Sequence, residues 1–365
     1  MLGIALTALV GLARARTAHP SLPRLSIDPS AITISGLSSG ADFASQFAVA
    51  YSRTISGVGV FAGQPFHCAA TRFATDALVP MNPEVPVCDS CPAGQTIPYD
   101  HCKHIPYEDI NATALVAAAR QRTASGEIDD VVHLQTTKVY TYCGTSDGSL
   151  NATMANRDFF ARLVPAENIL FNFSLPSGHC WPSDSSLLPC KVVLKNFWPV
   201  ENCGYDGPGA MLRHFYGALK PPTDKINAAS LRKFDQASYN DPAGAVVTGL
   251  SATGWLYTPQ SCQNNSAKCK LHVSMHGCSE LALAEQELVE GSKATGLSFN
   301  RWAESNGIVV LWPHAGPHGG KNATHEEKQG CWDGYGQTGT GYDTKQGVQM
   351  RAISKMIEDI SGVVM

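Results

Sequence analysis

The chain has 365 residues, of which 44% are hydrophobic, and a formal net charge of −4 at pH 7. This apolar content is ample for a packed core, while the charge balance provides no basic stripe of the kind that binds nucleic acid, so we expect no nucleic-acid partner. Length alone suggests two domains, but no Ser/Thr/Pro-rich linker divides the chain, and we expect one domain over residues 16–365.

The first segment has features of a secretory signal peptide. Residues 2–13 are apolar but too few to span a bilayer, and Ala13 and Ala15 supply the small residues that signal peptidase requires, although the usual positively charged n-region is missing. A buried first helix is the alternative. We predict a signal peptide at about residues 1–15 and a secreted, extracellular protein without a membrane anchor.

Two further features favour export. The chain has twelve cysteines, an even number that suits an oxidising compartment. It also has five Asn-x-Ser/Thr sequons, which are possible N-glycosylation sites. Their asparagines are Asn111, Asn151, Asn172, Asn264 and Asn322.

The first motif with chemical meaning is ITISGLSSGA at 32–41. A short β-branched strand breaks there into Gly-x-Ser-x-Gly and passes directly into an alanine-rich helix, which is the pattern of a nucleophile elbow. Because the turn is so tight, the residues two before and two after the serine must be nearly free of side chains, and the hydroxyl is left exposed at the edge of the sheet. Ser38 is therefore the candidate nucleophile.

A second Gly-x-Ser-x-Gly occurs at 144–148, where Ser146 follows an extended run. Small residues follow Ser38 and form a helix that is able to pack closely on a central strand. The sequon of Asn151 follows Ser146 instead, and a glycosylation acceptor needs solvent. This context favours Ser38 over Ser146.

Two strand–loop units downstream supply an acid and a base. Residues 138–143 are predicted to form a strand whose loop carries Asp147. A helix over 151–163 then leads to a strand over 169–173, whose loop carries His179.

A serine hydroxyl needs a base within hydrogen-bond reach, and that base needs an acidic partner that fixes its tautomer. The chain order Ser, Asp, His, with each residue at a strand end, is the order found in α/β-hydrolases. We predict a catalytic triad of Ser38, Asp147 and His179. Asp184 and Asp206 are the alternative acids.

A developing oxyanion also needs donors, and the amide of Ser39, directly after the nucleophile, is the first. The second type of donor, a His-Gly loop after a strand, occurs at 276–278, after the strand 271–275. A helical stretch over about 280–306, a strand over 308–312 and a last helix near 344–360 follow it.

In an unpermuted hydrolase this block would precede the nucleophile. We therefore predict a circularly permuted α/β-hydrolase fold, with a mostly parallel central sheet and helices on both faces. The new termini are expected between the last helix and the strand that leads to Ser38, on the face opposite the site.

Proximity in the sequence limits which cysteines can pair. Cys262 and Cys269 flank a polar turn, and Cys190 and Cys203 bracket a Pro-containing loop, so we predict a disulfide in each case. Cys143 and Cys180 adjoin the loops of Asp147 and His179, and a bridge between them is a further hypothesis. The pairing of the remaining cysteines stays open, namely Cys68, Cys88, Cys91 and Cys102.

We expect no metal site. Cys88 and Cys91 form a Cys-x-x-Cys pair, but zinc would need two more ligands at compatible spacing. His314, His318 and His325 lie in a Gly/Pro-rich run without fixed spacing, which we interpret as a solvated loop.

Several long motifs are specific. They are SGLSSG at 35–40, GVFAGQP at 59–65, NCGYDGPG at 202–209, TGWLYTPQSC at 253–262, LHVSMHGC at 271–278, and GCW at 330–332 followed by GVQM at 347–350. Through them, most of the chain resembles the secreted fungal type of poly(3-hydroxybutyrate) depolymerase, a single-domain, circularly permuted α/β-hydrolase.

This resemblance implies an extracellular serine esterase that needs no cofactor. Its substrate would be poly(3-hydroxybutyrate) or related short-chain 3-hydroxyalkanoate polyesters and oligomers, cleaved through an acyl-enzyme, and we expect a monomer. The resemblance also implies an oxyanion hole made by the amides of Ser39 and Cys278, a Cys278–Cys331 disulfide, and Trp332 in the crevice against the substrate.

The chain departs from the fungal pattern in an insertion around 80–130. A segment of this length between the nucleophile and the acid is able to act as a lid or to reshape the cleft. Two other functions therefore stay open. One is a feruloyl or acetyl esterase for plant-wall esters, and the other is a secreted binding protein that kept the fold without turnover.

Overall fold

A computed structural model of the chain describes residues 20–68, 107–190, 200–240, 248–265, 267–280, 289, 299–319, 323–339 and 341–365. Several predictions fall outside these residues and stay predictions. They are the signal peptide at 1–15, the first part of the insertion, the sequon of Asn322, and the pairing of Cys88, Cys91 and Cys102.

The described residues form ten strands and seven helices. The strands are β1 Ile27–Leu37, β2 Gly57–Phe61, β3 Lys138–Tyr142, β4 Ile169–Asn172, β5 Trp181–Ser183, β6 Val200–Asn202, β7 Leu231–Asp235, β8 Thr253–Tyr257, β9 Cys269–Met275 and β10 Ile308–Trp312. The helices are α1 Ser39–Ala50, α2 Ala112–Ala124, α3 Leu150–Phe160, α4 Gly207–Tyr216, α5 Phe299–Asn306, α6 His325–Lys328 and α7 Val348–Ser361.

Eight of these strands form one sheet in the order β4-β3-β2-β1-β9-β10-β8-β7. β1 lies near the centre and pairs in parallel with β2 on one side and β9 on the other. β8 is antiparallel to both β10 and β7, so the antiparallel part is confined to one edge. β5 and β6 form a separate two-stranded parallel ladder beyond β4 in the chain.

The sheet is covered on both faces because its strand residues alternate between two apolar clusters. On β10, for example, Val309 and Leu311 belong to one cluster, and Val310 and Trp312 belong to the other. The first cluster packs against α1, α2, α3 and α7, and the second packs against α4 and α5. α1 is buried along its whole length, which its alanine, serine and glycine side chains allow.

The topology confirms the predicted circular permutation. The strands β7 to β10 follow the β1 elbow in sequence, yet they fill the half of the sheet that precedes the nucleophile strand in an unpermuted hydrolase. The segment before β1 also meets the last helix, α7, because the Leu25 N–H donates to the Ile360 carbonyl at 2.8 Å. The fold is a circularly permuted α/β-hydrolase fold.

The segment that contacts α7 and the nucleophile elbow lie at opposite ends of β1. β1 has 11 residues, and its amino end, at Ile27, follows the segment that contacts α7. β1 bulges between Ile27 and Ile32, so its stretch from Ile27 to Gly36 runs beside only the seven residues of β9, and at a rise of about 3.3 Å per residue the elbow lies roughly 20 Å from the amino end of β1. The permutation therefore leaves the carboxyl ends of the strands free for a site.

Candidate active site

The turn after β1 has the strained geometry of a nucleophile elbow. Ser38 adopts φ 56° and ψ −121°, a left-handed conformation that non-glycine residues seldom take. A Cβ on Gly36 would lie 2.2 Å from the backbone of Gly40, and a Cβ on Gly40 would lie 2.4 Å from the His276 carbonyl oxygen. Both glycines are therefore required, and Ser38 keeps 9% of its surface exposed.

The loops after β3 and β4 bring Asp147 and His179 together. The Nδ1 of His179 lies 2.9 Å from Oδ2 and 3.0 Å from Oδ1 of Asp147. The Asp147 side chain is 3% exposed, whereas the His179 side chain is 29% exposed. Since Nδ1 is bound to the acid, Nε2 is the ring atom left to accept a serine proton.

The environment of Asp147 keeps it ionised. Burial disfavours the charge, but the attraction of His179 and the hydrogen bonds from His179, the Ser149 N–H and the Cys143 thiol outweigh it, so the pKa of Asp147 lies below its usual value. The Ser149 N–H donates to Oδ1 at 2.8 Å. A charged acid is what stabilises an imidazolium during proton transfer.

Backbone hydrogen bonds join the acid loop to the base loop. The Thr145 N–H donates to the Leu175 carbonyl at 2.8 Å, and the Ser146 N–H donates to the Ser177 carbonyl at 3.2 Å. A Cβ on Gly144 would lie 2.1 Å from the Ser177 carbonyl oxygen, so this close approach needs glycine. The second Gly-x-Ser-x-Gly motif therefore forms the loop that carries Asp147.

The rival residues lie elsewhere. Ser146 is exposed in the turn before Asp147. Asp184 is exposed after β5. Asp206 caps α4, where it accepts hydrogen bonds from the Gly209 N–H and from the Trp302 indole.

The His-Gly-Cys turn after β9 packs directly on the elbow. A Cβ on Gly277 would lie 3.2 Å from the Ser38 Cβ, so the backbone that leads to Cys278 passes beside the serine. Ser39 begins α1 with no exposed surface. The structure therefore brings both predicted oxyanion-hole residues, Ser39 and Cys278, next to Ser38.

Glu280, the acid at the end of this turn, is a site residue that the sequence did not predict. Its side chain is buried, and its Oε2 accepts a hydrogen bond from the Gly277 N–H at 2.6 Å. A glutamate in a turn is typically solvated. Its place two residues after the cysteine of His-Gly-Cys was the signal available in the sequence.

Three of the four predicted disulfides are present. They are Cys190–Cys203, Cys262–Cys269 and Cys278–Cys331. The last of these links the His-Gly-Cys turn at 276–278, called the oxyanion turn below because of its predicted role, to the loop before α7. The hypothesis of a Cys143–Cys180 bridge is wrong, because both thiols are free and buried. Cys143 hydrogen-bonds to Asp147, and Cys180 hydrogen-bonds to Glu201.

Trp332 does not lie in an open crevice, contrary to what the resemblance implied. Its side chain has 0% exposure, and its ring packs 5.4 Å from Phe43 and 5.5 Å from His276. Its backbone N–H donates to the Ser39 hydroxyl at 3.3 Å. In this structure Trp332 is thus a buried residue that packs against α1 and the His-Gly-Cys turn and stabilises the elbow.

The histidine loop after β10 is not fully solvated, so that interpretation needs correction as well. His314 is buried, with its ring 5.6 Å from His276. It is buried because the loop folds back over the oxyanion turn, where the Ala315 N–H donates to the His276 Nε2 at 3.0 Å.

The sequon asparagines that the structure describes differ in exposure. Asn111 and Asn264 are exposed, while Asn151 and Asn172 are half-buried. Asn111 also caps α2 by accepting a hydrogen bond from the Ala114 N–H. Among the described helices, none is long and apolar enough to cross a membrane.

Comparison with known proteins finds polyester depolymerases. Over 346 residues the chain is 33% identical to a poly(3-hydroxybutyrate) depolymerase of Delftia acidovorans. The aligned region covers 93% of this chain and 62% of that protein's length. The chain is 29% identical over 365 residues to a polyhydroxybutyrate depolymerase of Talaromyces funiculosus, which covers 96% of each. A scan against protein-family models finds no match.

Solved structures agree. The crystal structure of the PHB depolymerase from Penicillium funiculosum has a TM-score of 0.76 and 28% identity, over 94% of this chain and 99% of that one. A serine-to-alanine variant of a PHB depolymerase in complex with an R3HB trimer gives a TM-score of 0.76 at 27% identity, with the same coverage. By sequence and by fold, the chain is similar to poly(3-hydroxybutyrate) depolymerases.

Proposed function

We propose that the protein is a serine esterase that hydrolyses poly(3-hydroxybutyrate) or short 3-hydroxyalkanoate oligomers. The observation that carries the proposal is the His179–Asp147 pair, with Nδ1 held at 2.9 Å, in the fold where the strained Ser38 occupies the nucleophile position. Relatives named as depolymerases of this polyester support the substrate class. The structural neighbour bound to an R3HB trimer supports oligomers as ligands.

In the proposed reaction, His179 Nε2 takes the Ser38 proton as the serine oxygen attacks the ester carbonyl carbon. The amides of Ser39 and Cys278 donate hydrogen bonds to the carbonyl oxygen as it becomes an oxyanion, and each such donor is worth about 3 kcal/mol. The imidazolium then gives its proton to the departing alcohol. Water, deprotonated by His179, hydrolyses the acyl-enzyme and restores the serine.

The fold supports this chemistry before substrate arrives. Loop-to-loop hydrogen bonds hold the acid and the base, and the Cys278–Cys331 disulfide holds the oxyanion turn. Such preorganisation avoids a reorganisation cost during the reaction. Export to an oxidising compartment is also part of the proposal, and the three disulfides of the described residues support it.

The test is an assay panel on wild-type protein and Ser38→Ala. We expect wild type to clear a poly(3-hydroxybutyrate) suspension and to release 3-hydroxybutyrate oligomers. We expect Ser38→Ala to keep the wild-type circular dichroism spectrum and to lose turnover. Release of ferulate or acetate without polyester clearing would assign the site to plant-wall esters, and full activity of the variant would refute the nucleophile.

A further inference from the structure

A buried acid stands beside the proposed oxyanion hole without a role in the mechanism. Glu280 has 0% exposure. Its Oε2 accepts the Gly277 N–H at 2.6 Å, while its Oε1 has no hydrogen-bond partner among the described residues. A buried, half-satisfied carboxyl group is costly, and it calls for an explanation.

The unpartnered oxygen lies close to Ser38. A Cβ on Gly277 would lie 2.8 Å from Glu280 Oε1 and 3.2 Å from the Ser38 Cβ. A single methyl group placed there would touch both, so only that narrow space separates the carboxyl group from the nucleophile. A charge on Glu280 would therefore act on the oxyanion across protein interior, where water screens it poorly.

Glu280 is a neutral acid near pH 7. Burial raises its pKa to about 8, and the hydrogen bond from the Gly277 N–H only partly opposes this. Its ionisation therefore falls within the range where an esterase is readily assayed.

The titratable groups on the surrounding described elements do not account for a change of charge in this pH range. On the same turn, burial lowers the pKa of His276 to about 4, and burial also holds the pKa of His314, after β10, well below its usual value. Both histidines are therefore neutral across the range in which Glu280 titrates. From α1, Asp42 accepts the Gln64 N–H at 2.8 Å.

Three further titratable groups belong to neighbouring loops. Asp333, after the disulfide, accepts backbone N–H groups of 335–338, which favour its ionised form although burial raises its pKa. Cys143 adjoins the acid loop and Cys180 the base loop, and burial raises the pKa values of both thiols well above the usual value. The described residues thus offer Glu280 as the group whose charge changes just above neutral pH.

We propose that Glu280 is a positioning residue that serves the oxyanion hole only as a neutral acid, so that its ionisation switches off ester hydrolysis in alkaline solution. As an acid, it holds the Gly277 N–H and thereby fixes the peptide segment that presents the Cys278 amide. As a carboxylate, it places a negative charge beside the oxyanion that forms in the transition state. This inference rests on the proposed function.

The experiment compares kcat/KM for ethyl 3-hydroxybutyrate in a pH-stat between about pH 5 and pH 10, for wild type, Glu280→Gln and Glu167→Gln. The amide is neutral at every pH and keeps an oxygen that accepts the Gly277 N–H. Glu167 is exposed and remote in sequence from the turn, so its variant is the matched control. We expect kcat/KM of wild type and of Glu167→Gln to fall by about tenfold between neutral pH and about pH 9, and kcat/KM of Glu280→Gln to stay constant over this range.

An infrared measurement on wild type covers the case in which Glu280→Gln does not fold. A protonated buried carboxyl group gives a carbonyl band distinct from that of carboxylates. We expect such a band at neutral pH and its loss with a midpoint near 8.

An alkaline fall shared by wild type and Glu280→Gln would overturn the inference, as would the absence of the protonated band at neutral pH. A wild type that hydrolyses no ester at any pH would instead refute the proposed function, and the infrared band would still report the state of Glu280.

Discussion

Asp147 shows at the scale of single residues how the chain prepares one side chain for chemistry. It is buried, which alone would favour the neutral acid, and it stays ionised because His179, the Ser149 N–H and the Cys143 thiol all donate to it. Its two oxygens lie 2.9 and 3.0 Å from a single ring nitrogen of His179. This arrangement sets the tautomer in which Nε2 is the atom that the proposed mechanism directs at Ser38.

We expect Asp147→Asn to lower kcat by about 10³- to 10⁴-fold with little change in fold, because an amide favours the wrong histidine tautomer. Asp184→Asn is the control, since this exposed acid was the sequence alternative, and it should retain wild-type kcat. Steady-state kinetics on a soluble short-chain ester measures both. Equal loss in the two variants, or loss only in Asp184→Asn, would contradict the assignment.

At the scale of secondary-structure elements, close backbone contacts assemble the site. α1 approaches the end of β9 so closely that a Cβ on Gly40 would meet the carbonyl oxygens of Met275 and His276 at 2.5 and 2.4 Å. The same approach brings Gly277 against Ser38. The elbow and the oxyanion turn are therefore built by one contact between two elements that lie far apart in the sequence.

Gly40→Ala should therefore destabilise the fold by about 3 kcal/mol or more, since the added methyl group meets backbone that has no other position. The free energy of unfolding in urea measures this, and activity should fall with it. Gly341→Ala is the control, because its Cβ would meet only the Thr344 hydroxyl at 3.5 Å, an ordinary contact. Similar unfolding free energies for the two variants would argue against the contact.

At the scale of the whole molecule, the segment before β1 meets the last helix, α7, at the end of the sheet opposite the site. The Leu25 N–H and the Ile360 carbonyl are hydrogen-bonded at 2.8 Å, and the Arg24 side chain donates to the Glu358 carbonyl at 2.6 Å. The sheet is thus continuous although β1, the first described strand in the chain, lies near its centre. Catalytic geometry depends on this sheet rather than on where the chain starts.

This view predicts that the permutation can be reversed. A Gly/Ser linker would join residue 365 to residue 20, and the chain would be opened between the exposed Lys220 and Pro221, ahead of β7. We expect the rearranged protein to fold with the same circular dichroism spectrum and to keep esterase activity within about threefold, because no core contact is cut. Failure to fold when the linker is long enough to span the ends would contradict the topology.

Local patterns predicted the fold well because its signals are local. The elbow needs two glycines around Ser38, and the strand–loop units of Asp147 and His179 follow their own hydrophobic runs. The last helix begins at Val348 rather than near Thr344, because the residues before it form turns that end at Gly347.

The errors concern contacts between distant segments. Trp332 is buried because Phe43 and His276 converge on it, and neither lies near it in the sequence. Cys143 and Cys180 stay unbonded because each thiol faces an acidic partner, Asp147 and Glu201 respectively. Glu280 is buried where the oxyanion turn meets the elbow and the loop after β10. Hydrophobic periodicity and motif spacing do not predict such contacts between distant segments.

The central claim is that the His179–Asp147 pair activates Ser38. An aryl alkylphosphonate reacts covalently only with an activated serine, and peptide mass spectrometry locates the adduct. We predict one phosphonyl group per chain, on the peptide that contains Ser38. A label on Ser146, or no label on folded protein, would contradict the account.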